Sequence, residues 1–227
     1  MDNAKNAGFE DFEEEYEIGI GPDSLGKIEI NLPKGIKPNN RYGAVLSFYN
    51  QNCGDVEYTI EFDVLYSSDI IAQRWNDVLA VKNSDYNGGY EFVAYQWFLN
   101  GMPLEGFTTS QYYTGANLDF SGDYQVLLTR KDDGVSIFTC SVVPVEFSQG
   151  ELENTGVVVF ANDAINVETQ KAAKCYVYSM SGLLYSVSDL AEGVNIIDMP
   201  KEAGIYIMQF NYLDGDVEIR KIVVGKI

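Results

Sequence analysis

The stretch Tyr95-Gln96-Trp97-Phe98-Leu99-Asn100-Gly101 (YQWFLNG) is a run of strand-forming aromatic and apolar residues that stops at Asn-Gly. That dipeptide is a strong short-range hairpin signal, because both residues tolerate the positive φ a tight turn between strands requires. Further on, Leu118 to Val126 (LDFSGDYQV) carries a Ser-Gly-Asp turn into a second strand, Tyr124 to Arg130. Working outward, strand-like runs recur at Gly26–Leu32, Tyr42–Tyr49, Val56–Tyr66, Tyr90–Leu99, Val135–Cys140, Val157–Phe160, Cys175–Tyr178, Gly204–Phe210 and Val217–Val224. Turn signals lie between them, including Asn87-Gly88-Gly89, Asp132-Asp133-Gly134, Ser181-Gly182 and Asp214-Gly215. No stretch sustains a 3.6-residue apolar period; the nearest, Ile70 to Val81, is short and rich in polar residues. The reading is all-β, with strands at the spacing of sandwiches or barrels.

At 227 residues the chain exceeds one typical domain. Composition changes near Ser67-Ser68 and across the polar run SQGELENTG divide it into 1–67, 68–150 and 151–227. The first segment holds too few strands for a closed sandwich and is expected to be an acidic tail plus the end of a domain that begins upstream. Fifteen basic residues stand against 34 acidic ones, a net charge of −19. That balance repels phosphate backbones, so no nucleic-acid partner is expected. No uncharged apolar run reaches membrane-spanning length. Met1 to Glu15 has neither a basic nor an apolar leader region, so any signal sequence is expected to lie outside these residues.

The chain contains no histidine, which removes the Ser-His-Asp and Cys-His nucleophile systems. Cys53, Cys140 and Cys175 form no CxxC motif; a Cys53–Cys140 bridge stays open, and Cys175 reads as a buried free thiol. The acidic pairs Asp132-Asp133 and Asp214/Asp216 sit beside glycine in turns, where aspartate ordinarily bonds its own backbone. No catalytic residue and no metal ligand is therefore assigned. No cofactor is expected; calcium is the one ion the acid excess would suit, but no EF-hand loop is present. The run Glu10 to Glu17 reads as a solvated tail.

Within 68–150 the residues fit an immunoglobulin-like sandwich. Trp97 takes the place of the strand-C tryptophan, Tyr124 that of the corner tyrosine, and Val126 that of the strand-F core position, with Leu79 or Val81 as its strand-B counterpart. Trp97, Tyr124 and Val126 are thus the expected structural core. Tyr112 and Tyr113 are the candidate binding residues, since aromatic faces stack on the apolar faces of sugars; ordinary packing is the competing reading for them and for Tyr95.

The block from QRWNDVLAV through YQWFLNG to GDYQVLLTRKDDGVSIFTC resembles the immunoglobulin-like repeats near the C-termini of large bacterial surface proteins. Residues 157–227 resemble the type IX secretion C-terminal sorting domain family, through Val177–Gly182 (VYSMSG), Leu190–Asp198 (LAEGVNIID), Ala203–Ile207 (AGIYI) and Lys221–Val224 (KIVV), in that order. The ending Gly225-Lys226-Ile227 departs from the family, which closes on a basic residue after an apolar pair. The resemblance implies an elongated tandem of sandwiches, extracellular or at the cell surface, whose C-terminal block serves export or attachment without catalysis. The expected function is that of a structural or adhesion module, with secretion machinery and a surface protein or glycan as partners. The alternative is a carbohydrate-binding accessory module using exposed aromatics.

Overall fold

The computed structural model describes residues 3–10, 31–48, 54–148, 155–159 and 164–225, with 155–159 described by backbone alone. Cys53, most of the Gly26–Leu32 run and the acidic run after Glu10 lie outside the described residues, and so does the proposed Cys53–Cys140 bridge. The described chain is all-β. Its only helical turns are α1 (Asn3–Asn6) and a short 3₁₀ turn at Ser68–Ile70. Two compact units are present, Met1–Tyr66 and Ser67–Ile227.

The first unit is built on a long antiparallel hairpin of β1 (Asn39–Phe48) and β2 (Val56–Val64). Its pairing is irregular between Asn39 and Tyr42, where Arg41 turns to φ 60° and its N–H donates to Asp63 Oδ1 at 2.8 Å. Phe9, Tyr42 and Phe62 pack their rings 5.5–6.0 Å apart on one side of the hairpin.

The second unit begins with two facing sheets. One holds β3 (Ile71–Arg74), β4 (Val78–Val81) and β7 (Gln111–Tyr113). The other runs β6 (Met102–Pro103), β5 (Phe92–Leu99), β8 (Tyr124–Arg130), β9 (Ser136–Phe138). Strand β5 turns into β6 through Asn100 and Gly101 at φ 50° and 77°, the left-handed pair that the Asn-Gly signal demands. Trp97 and Val126 are direct cross-strand partners, and both are completely buried. Trp97 Nε1 donates to the Thr109 carbonyl at 3.0 Å, so burying the indole leaves no unpaired donor. Tyr112 closes the space between the sheets, its ring centroid 6.1 Å from Trp97 and 5.5 Å from Tyr124. The Tyr124 hydroxyl accepts the Asp119 N–H at 3.0 Å and pins the turn that feeds β8. In that turn a Cβ at Gly122 would stand 2.4 Å from Leu99 Cδ1, so a larger residue there would have to displace the end of the Leu99 side chain.

The chain then runs through 143–148, held by two side-chain amides that stand in for strand partners. Gln73 donates to the Val145 carbonyl at 2.6 Å and accepts its N–H at 2.8 Å; Asn76 does the same for Phe147 at 3.1 and 2.8 Å. Beyond it, a five-stranded sheet is ordered β10 (Thr155–Val159), β16 (Val217–Val224), β15 (Gly204–Tyr212), β12 (Ala173–Ser179), β13 (Leu184–Leu190), with β10 parallel to β16. A two-stranded antiparallel sheet of β11 (Ala164–Thr169) and β14 (Gly193–Asp198) covers its inner face. Ile165, Ile197, Cys175, Val177, Met208, Phe210 and Ile222 form the core between them.

Truncating Trp97 removes the largest fully buried side chain and orphans the Thr109 carbonyl. Trp97→Ala is expected to cost about 3–5 kcal/mol, whereas Tyr124→Phe, which loses one hydrogen bond to a backbone N–H, is expected to cost about 1 kcal/mol. Urea unfolding followed by circular dichroism measures both, and a Trp97→Ala midpoint equal to wild type would contradict this packing.

Candidate functional site

Alternation along β4 sends Leu79 and Val81 toward the space between the first two sheets and Val78 and Ala80 to the opposite face. All four are nonetheless buried, at 1% exposure or less. The outward pair is covered by the C-terminal sandwich: Val78 and Ala80 pack with Met180 and Ile205, flanked by Trp75, Tyr113 and Ile207. On β15, Tyr206, Met208 and Phe210 face the inner core, so Ile205 and Ile207 are the residues that alternation leaves for the outer face. The two sandwiches therefore share a sheet-to-sheet junction. Burying Val78, Ile205 and Met180 there contributes roughly 1.5–3 kcal/mol apiece.

Lys221 stands at the centre of this junction. It lies across from Ile207 in the β15–β16 pairing and so projects from the same outer face. Its ammonium donates to Asp77 Oδ2 at 2.5 Å and sits 5.0 Å from the Trp75 ring centroid and 5.5 Å from that of Tyr113. The Lys221 and Asp77 side chains retain only 9% and 16% exposure. A lysine this buried needs a counter-charge, and two aromatic faces add further attraction for the cation. Asp77 and Trp75 reach it from the three-residue turn between β3 and β4, where Trp75 adopts φ 53°. A bulky residue in the left-handed region is strained, and its indole stacking on Lys221 offsets that cost. The Tyr113 hydroxyl is pushed above its ordinary pKa, first by burial and second by the Asp77 charge.

A second contact lies at the Ser181-Gly182 turn, whose Ser181 carbonyl accepts the Asn83 N–H at 3.0 Å. Gly182, at φ 89°, would bring a Cβ to within 3.8 Å of Tyr86. Gly204 is tighter, since a Cβ there would meet Gln111 Nε2 at 2.9 Å. The Gly-Xaa-Tyr motif at Gly204-Ile205-Tyr206 thus supplies the close approach, the junction contact and a core aromatic in succession.

Both tyrosines singled out in the sequence are consumed by packing. Tyr112, paired with Leu79, points inward at 8% exposure with Phe107 4.7 Å away, so its face is not available to a sugar. Tyr113, one residue on, points outward and is half-buried, with the Lys221 ammonium over its ring. Tyr95 is half-buried, edge-on to Phe92. Asp132 and Asp133 bind Arg130 within their own turn, and Asp214 and Asp216 bind Lys171 from the distant turn between β11 and β12, so each pair has a structural partner. Among the described residues no three acidic or sulfur ligands converge on a point. Cys140 is exposed and Cys175 buried, both with free thiols, and burial raises the Cys175 pKa to about 12.

The sequence reading missed Trp75, Asp77 and Lys221. The one signal for them is the unbroken apolar run Val78-Leu79-Ala80-Val81, since a strand that alternates has one wet face and a strand that does not has none.

No family model matches the chain, and no curated protein matches it in sequence. Among solved structures, it is similar to SGBP-B of the Bacteroides ovatus mixed-linkage glucan utilization locus, determined in complex with a mixed-linkage heptasaccharide. The superposition has a TM-score of 0.22 at 13% identity and covers 83% of this chain and 54% of that one. The chain thus spans about half the length of that protein. A likeness this loose assigns neither fold family nor ligand, and the function is argued from the chain's own residues.

Removing one member of a buried ion pair strands the other, which costs about 3–5 kcal/mol, whereas replacing both with apolar residues is close to neutral. Asp77→Leu alone is expected to show the larger loss and the pair Asp77→Leu with Lys221→Met to recover most of it, as read in a double-mutant cycle of urea midpoints that includes Lys221→Met alone. Additive single effects would place Lys221 in water. In thiol labelling at pH 8, read peptide by peptide, Cys140 is expected to react in the native state and Cys175 only after unfolding. Equal rates would contradict the core around β12.

Proposed function

We propose that this chain is a non-catalytic structural and adhesive module of a secreted or cell-surface protein, in which the C-terminal sandwich is the attachment or export element. The observation that carries the reading is the junction at Lys221. A block that transmits attachment must be joined to what precedes it, and the junction supports that role: tension applied at residue 225 reaches the first sandwich through β16, which bears Lys221, and through the apolar packing of Val78, Ala80, Met180 and Ile205. The clamped segment 143–148 gives a second tie in parallel. The immunoglobulin-like assignment of the first sandwich and the sorting-domain likeness of the second belong to this proposal. Trp97, Tyr124 and the order Val177–Gly182, Leu190–Asp198, Ala203–Ile207, Lys221–Val224 support them.

The reading is tested by fusing the compact unit Ser67–Ile227 behind a folded reporter and expressing it, with an export leader, in the organism that encodes it. The reporter is expected to be held at the cell surface, where external protease removes it. A reporter found only in the medium or inside the cell, with the unit folded, would overturn the attachment role.

A further inference from the structure

The outer face of the five-stranded sheet is only half used by the junction. Cross-strand partners share a face, so its rows can be read from the register. Tyr178 pairs with Ile207 at the lip of the junction; Tyr176 pairs with Gln209 on one side and Val187 on the other; Lys174 pairs with Asn211 and Asp189. The Tyr176 and Tyr178 rings lie within 14° of parallel with centroids 6.2 Å apart, and both are half-exposed. Neither hydroxyl bonds another of the described residues. Gln209 Nε2 donates to Asn211 Oδ1 at 2.8 Å, which leaves Gln209 Oε1 and Asn211 Nδ2 as an acceptor and a donor beside the rings. Lys174 and Asp189 approach to 3.6 Å and cancel each other's charge.

We infer that this face binds a neutral glycan, its sugar rings stacked on Tyr176 and Tyr178 and its hydroxyls bonded to the Gln209 and Asn211 amides. The chemistry selects that ligand. Parallel rings one strand repeat apart match consecutive flat apolar faces, and two free amide groups match hydroxyls that both donate and accept. In a chain of net charge −19, a face with no net charge of its own admits an uncharged polymer and holds nothing to capture an anionic one. A protein partner is favoured by a densely packed patch that excludes water at its centre. Here the amides lie among the aromatic and apolar side chains. Strand geometry alone brings rings two residues apart close to parallel, as at Tyr90 and Phe92; what sets Tyr176 and Tyr178 apart is the pair of amides beside them.

The inference deepens the adhesive reading and names its ligand class. Affinity electrophoresis of the full chain through gels containing soluble β-glucan, xylan, mannan or dextran tests it, with polygalacturonate as the anionic control. At least one neutral polysaccharide is expected to retard the chain. Tyr176→Ala and Tyr178→Ala are each expected to weaken that retardation about tenfold, while Tyr86→Ala, at an exposed tyrosine outside the face, leaves it unchanged. Circular dichroism checks that each variant is folded. No retardation by any neutral polymer, retardation only by polygalacturonate, or retardation indifferent to Tyr176 and Tyr178 would each overturn the site. Surface display of the reporter fusion carrying both substitutions separates the two readings. Display of the substituted fusion with its glycan binding lost shows that attachment does not run through the ligand; display of the unsubstituted fusion with no neutral glycan bound removes the ligand alone, and display lost from the unsubstituted fusion removes attachment itself.

Discussion

A single ammonium group sets the arrangement of the second unit. Lys221 is removed from water, and the Asp77 carboxylate, the Trp75 indole and the Tyr113 ring all come from the neighbouring sandwich. Desolvating a lysine is costly enough that the junction cannot be partly formed: without Asp77 beside it, the charge has no partner, and Val78, Ala80, Ile205 and Met180 lose their cover together. Hydrophobic burial supplies most of the favourable free energy, but it is non-directional. The directional contacts, the Lys221–Asp77 ion pair and the Asn83 N–H bonded to the Ser181 carbonyl, select which sheet meets which.

The fold class was legible in the sequence because it depends on local signals. Asn100-Gly101 specifies a hairpin, and β8 begins and ends at Tyr124 and Arg130, where the alternation does. Short strands at β3, β7, β11, β13 and β14 were not set out, since three- to seven-residue segments carry too little pattern to stand out from loops. The site was less legible. Two adjacent tyrosines at 112 and 113 look alike in sequence, yet period-two alternation puts one in the core and the other against a distant lysine. Lys221 lies 144 residues from Asp77, and no local rule joins them. The usable clue was Val78–Val81 in the segment 68–150, where hydrophobic residues fill both faces of a strand. It signals a second partner without saying which.

The sequence reading treats 68–150 and 151–227 as serial modules, and the structure shows Ser67–Ile227 as one compact unit. That changes what the C-terminal block can do. An address read by another machine could hang on a flexible tether, but this block is tied by a sheet junction and by the Gln73 and Asn76 clamps on 143–148. Its outer sheet face is thereby divided between a dry half that holds the chain together and a half-exposed aromatic half that faces solvent.

Native-state hydrogen exchange compares the two sandwiches directly. If the junction makes Ser67–Ile227 one cooperative block, the most protected amides of β5 and β8 and those of β12 and β15 exchange with the same free energy of opening, and Asp77→Ala lowers both sets together or splits them apart. Separate opening free energies in the wild-type chain, unmoved by Asp77→Ala, would contradict the account.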